Sequence, residues 1–154
     1  MSEAKRIVEQ LHNAFEGNAW HGPALLELLA DVDSATAAAH PLPETHSIWE
    51  LVLHVAAWDD AVNRRIVHKK ALQLKAAENF PAVKDKSSAA WKKAVDYLKK
   101  THKALIATAK GLSDERLRER VRGKKYNIQF MLDGVVQHEL YHAGQIAILK
   151  KTRL

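Results

Sequence analysis

The chain has 154 residues, 47% of them hydrophobic, with six glycines and four prolines, which suits one domain built around a single core. So few backbone breakers favour long helices over a turn-rich β fold, and the absence of cysteine excludes disulfides, thiolate metal sites and a cysteine nucleophile. The formal charge of +6 and the pI near 9.6 raise nucleic acid as a partner, but the lysines are mixed with acids over several segments, as on solvated helix faces, and specific nucleic-acid binding is not expected. No N-terminal run has the flanks of a signal peptide and no apolar run reaches membrane-spanning length, so a cytoplasmic protein is expected.

Residues 3–16 read as an amphipathic helix, with Ile7, Leu11 and Phe15 on one face and His12 beside it. Gly17-Asn18 interrupts it. Gly22-Pro23 restarts a helical segment, with Pro23 in its first turn and Leu25, Leu26, Leu28 and Leu29 facing inward. That segment continues from Asp33-Ser34 to Ala39, and Pro41-Leu42-Pro43 stops it. A second long helix starts from a cap among Thr45, His46 and Ser47, with Glu50 in its first turn. Its inner surface is Ile48, Leu51, Val52, Val55, Trp58, Val62 and Ile66, with His54 at the edge of the stripe. Arg64, Arg65, Lys69 and Lys70 complement the dipole at its C-terminal end.

The stretch from Ala71 to Asp85 is less periodic, and Asn79-Phe80-Pro81 reads as a loop anchored by an aromatic ring. A third helix spans Ser87 to Lys110, with Trp91, Ala94, Val95, Leu98, Leu105 and Ala109 as its seam and Gly111 ending it. Leu112 to Glu115 starts a short turn or helix, and Arg116 to Lys125 forms a basic loop. The fourth long helix begins at Tyr126-Asn127 and runs to Lys150. No period-two run is strong enough to predict a strand. The expected architecture is an all-α four-helix bundle with a long, partly helical connection between the first two long helices.

Chemistry concentrates in the last helix, in His138-Glu139-Leu140-Tyr141-His142. The seam Ile128, Met131, Val135, His138, His142, Gln145, Leu149 places both imidazoles on the inward row, one helical turn apart. Two neighbouring buried imidazoles need partners, and a shared metal ion is the simplest. The H-E-x-x-H spelling suggests a zinc peptidase, but the twelve residues after His142 contain no Asp, Glu, His or Cys to act as the downstream ligand. The third ligand must come from upstream. His54 is its natural source, because it lies on the inner side of another long helix. Three imidazoles leave coordination positions open, as catalytic sites do. His46 is expected to cap its helix, His102 to be structural, and Glu139, turned off the seam, to be a surface residue. Trp58 and Tyr141 suit a pocket lining, and Gly134 and Gly144 suit close helix approach.

The combination of Trp20-His21-Gly22-Pro23, the run from His46 to His54, and His138-Glu139-Leu140-Tyr141-His142-Ala143-Gly144-Gln145-Ile146 resembles the DinB-like superfamily. This group of bacterial DNA-damage-inducible proteins includes the YfiT-like metal-dependent hydrolases. The resemblance covers nearly the whole chain, and the H-x-x-x-H-x-G-Q ending is its most specific part. It implies a four-helix bundle, frequent dimers, and a nickel or zinc site whose ligands match His54, His138 and His142 here. It also implies a link to low-molecular-weight thiols, since related enzymes are bacillithiol S-transferases and mycothiol-dependent isomerases. One departure is Phe80, where the family usually has tryptophan, so no substrate contacts are expected from that loop.

The expected function is therefore that of a metal-dependent hydrolase or low-molecular-weight-thiol S-transferase acting on a small molecule. The alternative is a non-catalytic metal- or ligand-binding bundle acting in stress response. In a hydrolase the metal would acidify water, and in a transferase it would hold the cosubstrate as its thiolate.

Overall fold

A computed structural model describes residues 1–152. Four long helices form the bundle: α1 (Glu3–Phe15), α4 (Ile48–His68), α6 (Ser88–Lys110) and α8 (Ile128–Lys151). The connection between α1 and α4 contains α2 (Leu25–Leu29) and α3 (Ser34–Ala38), as its mixed pattern predicts. Short α5 (Ala76–Asn79) interrupts the connection to α6, and α7 (Asp114–Arg118) is the short helix expected after Leu112, extending into the start of the basic loop. No helix is long and apolar enough to cross a membrane among the described residues.

Each long helix begins where a polar side chain meets the otherwise unpaired backbone donors of its first turn. Ser2, Ser47, Ser87 and Asn127 accept from the amides of Lys5, Glu50, Ala90 and Phe130 respectively. At Ser47 the arrangement is reciprocal, because Glu50 Oε2 accepts from the Ser47 amide at 2.6 Å. The cap of α4 is thus Ser47 and not His46, whose ring lies outside the helix and stacks on Phe80. Pro23 likewise falls just before α2, whose N-cap is Ala24.

Helix α4 packs against α6 and α8, and α1 packs against the same two, so α1 and α4 occupy one diagonal of the bundle. Inside are two apolar clusters. One gathers Phe15, Leu25, Val52, Val55, Leu98 and Ile146; the other gathers Ile7, Leu11, Val62, Leu105, Leu132 and Val135. Three polar residues separate them along the helices. Asp59 falls between Val55 and Val62, His102 between Leu98 and Leu105, and Glu139 between Val135 and Ile146, all fully buried. Burying each large aliphatic side chain contributes roughly 1.5–3 kcal/mol, enough for the flanking apolar residues to fix helix rotation and carry the polar ones inside.

Gly134 and Gly144 do not mediate helix approach, since a Cβ at either would meet no atom within 4 Å. The close approach occurs instead at Gly123, in the hairpin that joins α7 to α8. There Val121 N donates to Tyr126 O and Ile128 N to Glu119 O, both at 3.0 Å. Gly123 has φ +76°, and a Cβ on it would come within 2.9 Å of the Ala71 Cβ.

The Ser47→Ala variant removes the α4 cap. It is expected to destabilise the protein by about 1 kcal/mol, read in thermal denaturation as a midpoint lowered by about 2–4 °C.

Candidate metal centre

The buried face of α8 is centred one residue away from the row that the sequence suggests. Leu132, Glu139, Ala143 and Ile146, exposed by 0–2%, lie deepest, while His138 is half-buried and His142 is buried at the margin. At about 100° per residue, the step from His138 to Glu139 turns toward the core rather than away from it. Glu139 is therefore not a surface glutamate. The histidines at the margin instead face a cavity of about 480 Å³ between α4 and α8.

His54, from α4, meets them there. Its Nε2 lies 3.0 Å from His138 Nε2, and His142 Nε2 lies 3.0 Å from the same atom. The opposite ring nitrogens are committed. His54 Nδ1 donates to the Asn79 carbonyl oxygen and His142 Nδ1 donates to Gln145 Oε1, each at 2.6 Å. In the neutral rings these bonds hold the protons on Nδ1 and leave Nε2 as a lone pair. A proton on His138 Nε2 satisfies one neighbour at a time, so the group lacks an electron-pair acceptor common to all three. Two ligands of a tetrahedral ion at about 2.0–2.1 Å sit about 3.3 Å apart, close to the observed separations. The group is thus compatible with binding a divalent metal ion.

The loop that the sequence gives no role holds this site in place. Asn79 accepts from His54 through its backbone and from Trp58 Nε1 through its side chain, the latter at 2.8 Å. The Phe80 ring lies parallel between the rings of His46 and His54, at 3.8 and 4.1 Å. Trp58 and Tyr141 line the cavity as expected. So does Arg65, which is 5% exposed and has no carboxylate partner among the described residues. Its Nε donates to Leu72 O at 2.9 Å and its guanidinium lies 5.4 Å from the Trp58 ring centre. No Asp or Glu lines the cavity among the described residues.

A second polar group lies behind the histidines. His102 Nδ1 donates to Asp59 Oδ2 at 3.4 Å and is 2.9 Å from Glu139 Oε1. The Phe15 ring stacks on its imidazole at 3.7 Å. His102 thus belongs to this inner group and not to the three histidines. Asp59 was legible as an anomaly, an acid in the Val55, Asp59, Val62 stripe, but its partners lie on other helices.

Protonation differs between the groups. Burial, reinforced by the charges of His142 and His54, depresses His138 to about 3, and burial lowers His54 and His142 too. At His102 burial also opposes charge, but the Asp59 and Glu139 carboxylates outweigh it and raise the group to about 9. Burial, followed by the charge of Asp59, raises Glu139.

Because the His138 value lies below that of the unfolded chain, its contribution to stability is present above about pH 6.5 and is lost as pH falls toward 3. His102 has the opposite sign, losing its contribution only as pH rises through about 9. In chelator-treated protein the urea midpoint is expected to fall between pH 7 and pH 5. His138→Gln should flatten that slope, and an unchanged slope would show that His138 does not carry it.

The sequence profile of the DinB superfamily matches residues 19–146, a span that includes His54, His138 and His142. Comparison with curated proteins and with solved structures gave no significant match. With the profile covering most of the chain and four long helices packed as a bundle around the three histidines, the chain belongs to the DinB superfamily.

Proposed function

We propose that this protein is a metal-dependent S-transferase in which His54, His138 and His142 hold zinc or nickel and a small-molecule thiol is joined to an electrophile. The convergence of three Nε2 atoms, two of them with lone pairs fixed by hydrogen bonds on the far side of the ring, carries the reading. Three neutral imidazoles suit either metal. A divalent ion held there supplies Lewis acidity, favouring the thiolate form of a bound thiol.

The cavity lining favours a thiol over water as the nucleophile. A thiol ionises at about pH 8.5 and needs little help, whereas hydrolysis benefits from a general base. The lining offers no carboxylate for that task, and Glu139 is sealed in the core. The reaction balances without an oxidant: the S–H proton goes to solvent, the new sulfur–carbon bond forms, and the leaving group departs with its electron pair. Trp58, Tyr126, Phe130 and Met131 give the electrophile an apolar surface, and Arg65 gives it an anchor for a carboxylate. The cytoplasm, which keeps such thiols reduced, is the fitting compartment.

Untagged protein is expected to carry zinc or nickel at this site by plasma mass spectrometry, with one equivalent lost in the His138→Ala/His142→Ala variant and the content reduced in His54→Ala. Turnover should require both thiol and electrophile. Arg65→Met should raise KM for a carboxylate-bearing electrophile by about tenfold or more while moving kcat less. Turnover without thiol would replace transfer by hydrolysis, and failure to bind either metal after reconstitution would sink both.

Assembly as a homodimer accords with the apolar residues Phe130, Tyr141 and Ile148 of α8, exposed by 59–66%, the first two of which also line the cavity. Light scattering is expected to give twice the chain mass. A monomer mass at micromolar concentration would rule the dimer out.

A further inference from the structure

The geometry points to a second divalent-cation site, formed by Asp59, His102 and Glu139 in the dry interior between α4, α6 and α8. One ligand atom from each residue lies within 4.8 Å of the others, and exposure is 0% for the two acids and 2% for the histidine. Each residue comes from a different long helix, so the site is held by packed elements rather than by a loop.

The polar atoms converge without a full set of hydrogen-bond partners, His102 Nε2 among them. Both Glu139 oxygens and Asp59 Oδ1 are buried without a hydrogen-bond partner among the described residues. Glu139 Oε1 stands 2.9 Å from His102 Nδ1, yet off the N–H direction, which is aimed at Asp59. An off-axis contact that short is expected between two ligands of one ion. With metal–ligand bonds of about 2.0–2.2 Å, neighbouring ligands lie about 2.8–3.6 Å apart, and the two distances from Nδ1 are 2.9 and 3.4 Å.

Charge leads to the same site. The ion pairs of Asp59 and Glu139 among the described residues are both with His102. A protonated imidazole balances one carboxylate, and the other stays in the core only by holding a proton of its own. A divalent cation with neutral His102 balances both. Carboxylates binding through both oxygens would also give the unpaired Glu139 and Asp59 atoms a partner. Phe15, stacked on His102, holds the imidazole plane in place.

The donor set is richer in oxygen than the three-histidine group, so manganese(II) or iron(II) is the preferred occupant, with zinc also accommodated. Enclosure implies loading during folding rather than free exchange afterward. The ion would cross-link three helices behind the cavity.

The test uses untagged full-length protein produced with manganese and zinc in the medium. Plasma mass spectrometry is expected to find two equivalents of metal per chain. The count should fall to one in Asp59→Asn/Glu139→Gln, which keeps side-chain shape while removing the acids. It should also fall to one in His54→Ala/His138→Ala/His142→Ala, and there the retained metal marks the inner site whether or not the outer one binds. Pulsed electron paramagnetic resonance of the manganese form should show coupling to a single imidazole nitrogen, a readout on the wild type that holds even if the variants do not fold. Two carboxylates sharing a proton, with no cation, predict a different result. The triple-histidine variant would then carry no metal, or manganese would show coupling to three nitrogens or none, and the proposal would be overturned.

Discussion

Helices α4 and α8 pack against one another, and between them carry five of the six residues in the two polar groups: His54 and Asp59 on one, His138, Glu139 and His142 on the other. Their rotation is set by apolar neighbours, chiefly Val55 and Val62 on α4 and Leu132, Val135 and Ile146 on α8. A rotation of α8 by one residue would exchange the places of His138 and Glu139, putting an acid in the cavity and an imidazole in the core. It would also lift Leu132 and Ile146 out of the interior, at roughly 1.5–3 kcal/mol for each. Hydrophobic packing therefore decides where the ionisable groups go, although it makes no contact with any ligand.

The two polar groups are consequently different environments a few residues apart. The histidines stand at the wall of a cavity, and burial lowers their affinity for protons, so they are neutral bases near pH 7. The carboxylates are sealed behind them, where burial raises their affinity for protons and His102 is held charged when no cation takes its place. Such an inner layer is not needed to drive folding, since well-packed aliphatic residues would do that as well or better. It does distinguish one helix register from another, because only one register brings all three residues together.

The irregular connection between α4 and α6 completes the outer group. The backbone oxygen of Asn79 fixes the His54 tautomer, its side chain holds Trp58, and Phe80 covers the His54 ring. A ligand imidazole needs a partner for its second nitrogen, and a nearby carbonyl serves where the adjoining helix offers none. The aromatic face of Phe80 stacks on His46 and His54.

Periodicity along the chain determined the class of fold, the four long helices and their approximate ends. These depend on local propensity, capping and the spacing of apolar residues, all of which are properties of neighbouring positions. The same spacing brought His54, His138 and His142 forward as a group. Tertiary structure decided the rest. The seam drawn at a heptad spacing ran through the histidines, whereas the true axis of burial passes through Glu139, because a helix of 3.6 residues per turn drifts from a seven-residue repeat. Asp59, His102 and Glu139 are separated by 43 and 37 positions in sequence, and no local pattern relates them. Asn79 and Arg65 acquire their roles from the partners that folding brings to them. Which polar residues share an environment is a property of packing between helices, and that information is not contained in any one helix.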